Sequence, residues 1–82
     1  MRIIVYTKTG CPWCKEVLDL LARKNIRFEE RNVTENKEFS SEMVQKSSQT
    51  KTPTLDIDGE ILADTDADEV AKHFRAKGVS GF

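Results

Sequence analysis

The chain has few of the residues that usually support a specialised reading. Among 82 residues there are two cysteines, two prolines, four glycines, one histidine and one tryptophan. A disulfide-stapled scaffold would use more cysteines than this. No apolar run approaches the roughly 18 residues a membrane span needs, so no membrane partner is expected. Thirteen basic against 14 acidic residues leave a net charge of −1. That balance argues against nucleic acid, because phosphate binding needs a basic surplus on one face. Met1-Arg2 runs straight into Ile3-Ile4-Val5-Tyr6, too short for a signal-peptide core and without a small-residue cleavage site. The expectation is a cytoplasmic, monomeric protein with one domain over 1–82.

What remains is a regular succession of periodic segments. Arg2 to Thr7 is β-branched and aromatic and predicts a buried strand. After the turn Lys8-Thr9-Gly10, the period becomes helical from Pro12, with Val17, Leu18, Leu20, Leu21 and Ala22 on one stripe and Asn25 as a stop. Ile26 to Val33 alternates and predicts a half-buried strand. Thr34 or Asn36 can cap a helix over 37–46 with Phe39, Met43 and Val44 inward. Thr54 to Ile57 and Glu60 to Ala63 flank Asp58-Gly59, a strong hairpin signal. Thr65-Asp66-Ala67-Asp68 resembles a capping box before a last helix with Val70, Ala71 and Phe74 inward. Gly78 ends that helix and 79–82 form a tail. The order β-α-β-α-β-β-α predicts an α/β fold: a mixed four-stranded sheet flanked by helices, with a parallel first pair and an antiparallel last pair.

Cys11 and Cys14 sit three apart in Thr9-Gly10-Cys11-Pro12-Trp13-Cys14-Lys15. A disulfide there closes almost no loop and stabilises little, so the pair points to chemistry. Cys11 falls where a strand and turn lead into a helix, whose free N–H groups and positive dipole end favour a thiolate. Lys8 adds a positive charge nearby, and Lys15 is a second candidate. Cys14, one turn on, shares the helical face but is more buried. Cys11 is therefore the candidate nucleophile, attacking a disulfide, and Cys14 the resolving thiol. Pro12 stiffens the first turn and Trp13 offers a rigid apolar platform for substrate.

Metal readings compete. Structural zinc needs four ligands, and the chain offers two cysteines and His73, which reads as a surface residue. No metal site is expected within the chain. A carrier of an iron–sulfur cluster or metal, with Cys11 contributed by two copies, is the alternative. Asp64, Asp66 and Asp68 alternate like a calcium loop but lack its later glycine and glutamate. A redox-inert adaptor is a weaker rival.

The chain resembles a glutaredoxin of the thioredoxin superfamily. Val5-Tyr6-Thr7-Lys8 followed by Cys11-Pro12-Trp13-Cys14 is similar to that family's first strand and active site. Phe28-Glu29-Glu30 with Asn32-Val33 resembles its second strand, Thr52-Pro53 its cis-proline turn, and Ile57-Asp58-Gly59 its hairpin. The resemblance implies a thioredoxin fold and disulfide reduction on protein substrates or glutathione mixed disulfides. It implies glutathione as co-substrate and no tightly bound cofactor. Pro53 should be cis, with the Thr52 backbone meeting substrate beside Cys11 and Lys8 holding a glutathione carboxylate. Two features depart from the pattern. Ala63-Asp64-Thr65-Asp66-Ala67 stands where many glutaredoxins have a Gly-Gly-x-Asp-Asp-like segment, and Lys51 replaces a threonine. Asp66 remains a candidate for the glutamyl amine. Related small proteins take electrons from thioredoxin reductase instead, so that reductant stays open. Those donors often carry a Trp-Ser-Gly-Phe-Arg-like segment that this chain lacks.

Overall fold

The computed structural model describes Met1–Phe82. Its elements are β1 (Ile3–Thr7), α1 (Pro12–Arg23), β2 (Glu29–Asn32), α2 (Lys37–Ser47), β3 (Thr54–Ile57), β4 (Glu60–Leu62) and α3 (Ala67–Ala76). The sheet order is β2-β1-β3-β4. β1 runs parallel to β2, with Ile4 opposite Glu29, and antiparallel to β3, with Val5 opposite Leu55. β3 and β4 form the expected antiparallel hairpin. The α/β thioredoxin fold follows.

Alternation along β1 divides the core. Ile3 and Val5 join Val17, Leu20 and Leu21 of α1, Leu55 and Ile57 of β3, and Val70 and Phe74 of α3. Ile4 and Tyr6 point the other way and meet Met43 of α2. A central strand covered on both faces loses its polar side, which is why all five residues of β1 are buried. The smaller cluster is supplemented by polar contacts. Tyr6 donates its hydroxyl to Glu42 Oε1 at 2.8 Å, and Lys46 Nζ donates to the Tyr6 oxygen at 2.8 Å and to Asp56 Oδ2 at 2.7 Å. Arg31 pairs with Glu42 and with Glu29. Burial pushes the Tyr6 hydroxyl up, while Tyr6 and Arg31 hold the Glu42 carboxyl below its ordinary value.

Several boundaries move. The second strand is shorter than 26–33. Asn25 has φ 56° and Ile26 N–H bonds the Leu21 carbonyl at 3.0 Å, so the chain is still tied to α1 there. Pairing starts only at Glu29, and β2 is an edge strand whose first two residues are exposed. Asn36, not Thr34, caps α2, accepting from Glu38 N–H. Val44 is 38% exposed; it lies beside Met43, on the next position round the helix, and misses the inner face. The cap of α3 is Asp66, whose Oδ1 accepts from Glu69 N–H at 2.9 Å, one residue later than the capping box predicted. Thr65 is instead pulled inward by its N–H bond to the Pro53 carbonyl. His73 is not a free surface residue: its side chain is 14% exposed and lies 4.0 Å from Glu60. The tail folds back, with Phe82 against Phe74 at 5.0 Å between ring centroids.

Candidate active site at the start of the first helix

The end of β1 and the start of α1 place the two cysteines. Gly10 turns the chain at φ 75°, a conformation glycine adopts without a Cβ penalty. Cys11 is then the N-cap of α1 and Pro12 its first residue, where a missing N–H costs nothing. Cys11 and Cys14 form a disulfide with their Cα atoms 5.3 Å apart. Cys14 N–H donates to Cys11 Sγ at 3.1 Å. The two sulfurs differ in surroundings. Cys11 is half-buried and faces solvent on one side, whereas Cys14 is 2% exposed.

The far wall comes from the loop before β3. The Thr52–Pro53 peptide bond is cis, as the resemblance implies. Thr52 Oγ1 donates toward Cys11 Sγ at 3.7 Å, and the Thr52 carbonyl oxygen lies 4.0 Å from the same sulfur. Side chains shape this loop. Lys51 N–H donates to Gln49 Oε1 at 2.7 Å, and Gln49 Nε2 donates to Thr54 Oγ1 at 3.0 Å. The Pro53 carbonyl accepts from Thr65 N–H at 2.9 Å, which ties the loop to the start of α3.

Between these walls lies an open groove of about 470 Å³ lined by Lys8, Gly10, Cys11, Pro12, Trp13, Lys51, Thr52, Asp64, Thr65 and Asp66. Six sequence-predicted site residues, Lys8, Cys11, Pro12, Trp13, Thr52 and Asp66, therefore meet in one place. Pro53 is fully buried below, and Cys14 stands behind Cys11. Trp13 is 61% exposed at the rim. Lys15 lies outside this groove, on a second cleft that also touches Cys11, Cys14 and Glu30. In that cleft the buried Thr7 donates its hydroxyl to Glu30 Oε2 at 2.9 Å. Sequence reasoning missed Thr7, Glu30 and Thr65 at the site. Thr7 carries one signal, a polar residue at the end of an apolar strand, whereas Glu30, in a charged strand, and Thr65 carry none.

The arrangement suits attack at a sulfur. Cys11 Sγ sits at the positive end of the α1 dipole and faces two donors, the Cys14 amide and the Thr52 hydroxyl, surroundings that favour a thiolate once the disulfide opens. No group of three or more histidine, cysteine, aspartate or glutamate side chains is placed to hold a metal ion. No helix is long and apolar enough to cross a membrane.

Comparison with known proteins agrees with this geometry. The family model described as Glutaredoxin matches residues 3–62. A protein of Clostridium pasteurianum described as an uncharacterized glutaredoxin-like 8.6 kDa protein in the rubredoxin operon is 36% identical over 70 residues, 85% of this chain and 93% of its own. Glutaredoxin 3 of Escherichia coli K12 is 32% identical over 65 residues, 79% of this chain and 78% of its own. Among solved structures, a thioredoxin-like protein superposes with a TM-score of 0.79 at 30% identity, covering 85% of this chain and 96% of that one. A buckwheat glutaredoxin–glutathione complex superposes at 0.72 and 20% identity over 94% of this chain and 71% of that one, a likeness of fold.

Proposed function

The chain belongs to the glutaredoxin family of thiol–disulfide oxidoreductases, and from that premise we propose that Cys11 attacks substrate disulfides while Cys14 resolves the product. The supporting observation is the asymmetry of the pair. Cys11 caps a helix, accepts an amide N–H and opens onto the groove; Cys14 is enclosed behind it. The Cys11 thiolate attacks one sulfur of a protein disulfide or of a glutathione mixed disulfide. The other sulfur leaves as a thiolate, and a mixed disulfide with Cys11 remains. Cys14, as a thiolate, then attacks Cys11 Sγ, expels the reduced product and closes the Cys11–Cys14 bond.

The groove supplies the rest of this reading. Trp13 gives substrate an apolar surface, and the Thr52 backbone before cis-Pro53 gives it polar partners beside the reacting sulfur. Lys8 takes a substrate carboxylate and Asp66 an amine. Glutathione is the co-substrate on this reading, returning the protein to its dithiol state, and no tightly bound cofactor is needed. The neighbouring buckwheat structure is a complex with glutathione. A second reductant, a thioredoxin reductase, is favoured by one observation: Asp64 brings a carboxylate to the groove that an anionic tripeptide would enter. The competing reading, in which Cys11 of two copies bridges an iron–sulfur cluster, predicts a coloured, iron-containing dimer on anaerobic purification. The oxidoreductase reading predicts a monomer that works in the cytoplasm without it.

The test is substitution of each sulfur. Cys11→Ser abolishes disulfide reductase activity, whereas Cys14→Ser retains turnover of glutathione mixed disulfides and loses that of protein disulfides. An active Cys11→Ser protein would overturn the assignment. Running the wild type with glutathione and its reductase, and separately with thioredoxin reductase, identifies the reductant.

A further inference from the structure

Lys51 and Asp64 stand on opposite sides of the hairpin, yet both line the groove at Cys11. Their backbones are held together by one buried hydroxyl. Thr54 Oγ1 donates to the Lys51 carbonyl at 2.8 Å and accepts from Asp64 N–H at 3.3 Å. The side chains consequently meet: Lys51 Nζ lies 4.0 Å from Asp64 Oδ2. The groove thus carries Lys8 and Lys51 against Asp64 and Asp66, and the lysine nearest Thr52 in sequence already has a carboxylate partner.

We infer that the Lys51–Asp64 pair is a specificity device that weakens use of anionic thiols and disulfides relative to neutral or cationic ones at Cys11. The inference rests on the reading of Cys11 as the reacting sulfur. Glutathione carries two carboxylates and one ammonium, a net charge of −1 away from its sulfur. When it reduces the protein, its thiolate attacks Cys11 Sγ, the Cys11–Cys14 bond breaks and Cys14 leaves as a thiolate that takes up a proton. A second glutathione thiolate attacks the glutathione sulfur of the mixed disulfide. Cys11 leaves as a thiolate and glutathione disulfide departs, so two thiols are oxidised as one protein disulfide is reduced. Both attacks bring negative charge into the groove. Asp64 opposes them twice, by direct repulsion and by offsetting the charge of the Lys51 ammonium 4.0 Å away. Both side chains are solvent-exposed, so the effect is modest and screened by salt.

The test is Asp64→Asn. Asp64 has φ 49°, a conformation asparagine also accepts, so the backbone need not move. Opening of the Cys11–Cys14 disulfide is followed with three thiols that differ in charge away from sulfur: glutathione (anionic), mercaptoethanol (neutral) and cysteamine (cationic). The glutathione rate relative to the mercaptoethanol rate rises about two- to fivefold in Asp64→Asn, and the cysteamine rate relative to mercaptoethanol falls. The rise shrinks in 1 M salt, where the Debye length is about 3 Å. In a Lys51→Gln background the same substitution raises the glutathione ratio by less than half as much. An unchanged glutathione ratio, or an equal rise with all three thiols, overturns the inference and leaves Cys11 as the reacting sulfur. An equal rise with and without Lys51 overturns the pairing. A wild-type disulfide that none of the three thiols opens overturns the reading of Cys11 itself, and this inference with it.

Discussion

Thr52 Oγ1 lies 3.7 Å from Cys11 Sγ although 41 residues separate the two in sequence. The contact exists because β3 pairs with β1, with Thr54 opposite Tyr6, and so carries the loop before β3 to the end of β1. It makes Thr52 one of two donors to the sulfur, with the Cys14 amide at the positive end of the α1 dipole. The expected outcome is a Cys11 thiolate that forms below the free-cysteine value of about 8.5. Thr52→Ala should raise that value by about half a unit, since a hydrogen bond contributes about 0.5–1.5 kcal/mol and one unit equals about 1.4 kcal/mol. The pH dependence of Cys11 alkylation by iodoacetamide measures both. A midpoint of 8.5 or higher in the wild type would count against the stabilised thiolate.

Asp66 holds two positions at once. It caps α3 through Glu69 N–H, and it lines the groove. Two substitutions separate these roles. Asp66→Ala should cost about 1 kcal/mol of stability by removing the cap. Asp66→Asn keeps a capping oxygen and should leave stability nearly unchanged while slowing glutathione-dependent turnover. That sign is opposite to the effect expected for Asp64→Asn. Thermal unfolding and steady-state kinetics on the three variants distinguish a carboxylate that receives an ammonium from one that merely repels carboxylates.

Tyr6→Phe removes the hydroxyl that joins Glu42 of α2 to Lys46 and the sheet. The cluster beneath α2 contains only three buried residues, so the polar contacts carry more of the docking there than on the opposite face. A loss of about 1.5–3 kcal/mol is expected, the range for a hydrogen bond with charged partners. Urea denaturation reads it. Hydrogen exchange should show faster opening of α2 with little change in α1.

The same network predicts the acid limb of stability. Glu42 is held below its ordinary value by Tyr6 and Arg31. For Asp56, burial opposes ionisation, but Lys46 and the Gly59 N–H hold it down. Carboxyls depressed in the folded state contribute stability that is fully present above their unfolded values, about 3.9–4.3. It is lost as pH falls through the lower folded values, because the unfolded chain then binds more protons. The urea midpoint should therefore be flat from pH 7 to 5 and fall towards pH 3. Glu42→Gln should start lower and fall less steeply. Lys46 behaves in the opposite sense. Burial opposes its charge, but Asp56 and Tyr6 hold it above its ordinary value, so its contribution is complete at neutral pH and disappears only as pH rises through the raised folded value.

Some of this protein was already present in its linear pattern. The pair Cys11 and Cys14 at a helix start, the apolar stripe Val17-Leu20-Leu21, the hairpin at Asp58-Gly59 and the β-α-β-α-β-β-α order are local properties. They depend on period, turn chemistry and dipole direction, which neighbouring residues set. Thr52-Pro53 was legible only as a resemblance, because nothing local says that this turn will face Cys11. Tertiary structure decided what depends on distant segments meeting. Strand pairing brings Thr52 to Cys11. The Thr54 hydroxyl joins the backbones of Lys51 and Asp64, and the crossing of α2 over β1 gathers Tyr6, Glu42 and Lys46. It also decided where β2 begins, since Ile26 stays bound to the end of α1 until the chain reaches a partner opposite Ile4. The sequence by itself determined a thiol pair poised at a helix start. Only the fold decided which charges surround that pair, because electrostatic partners are chosen by distance in space.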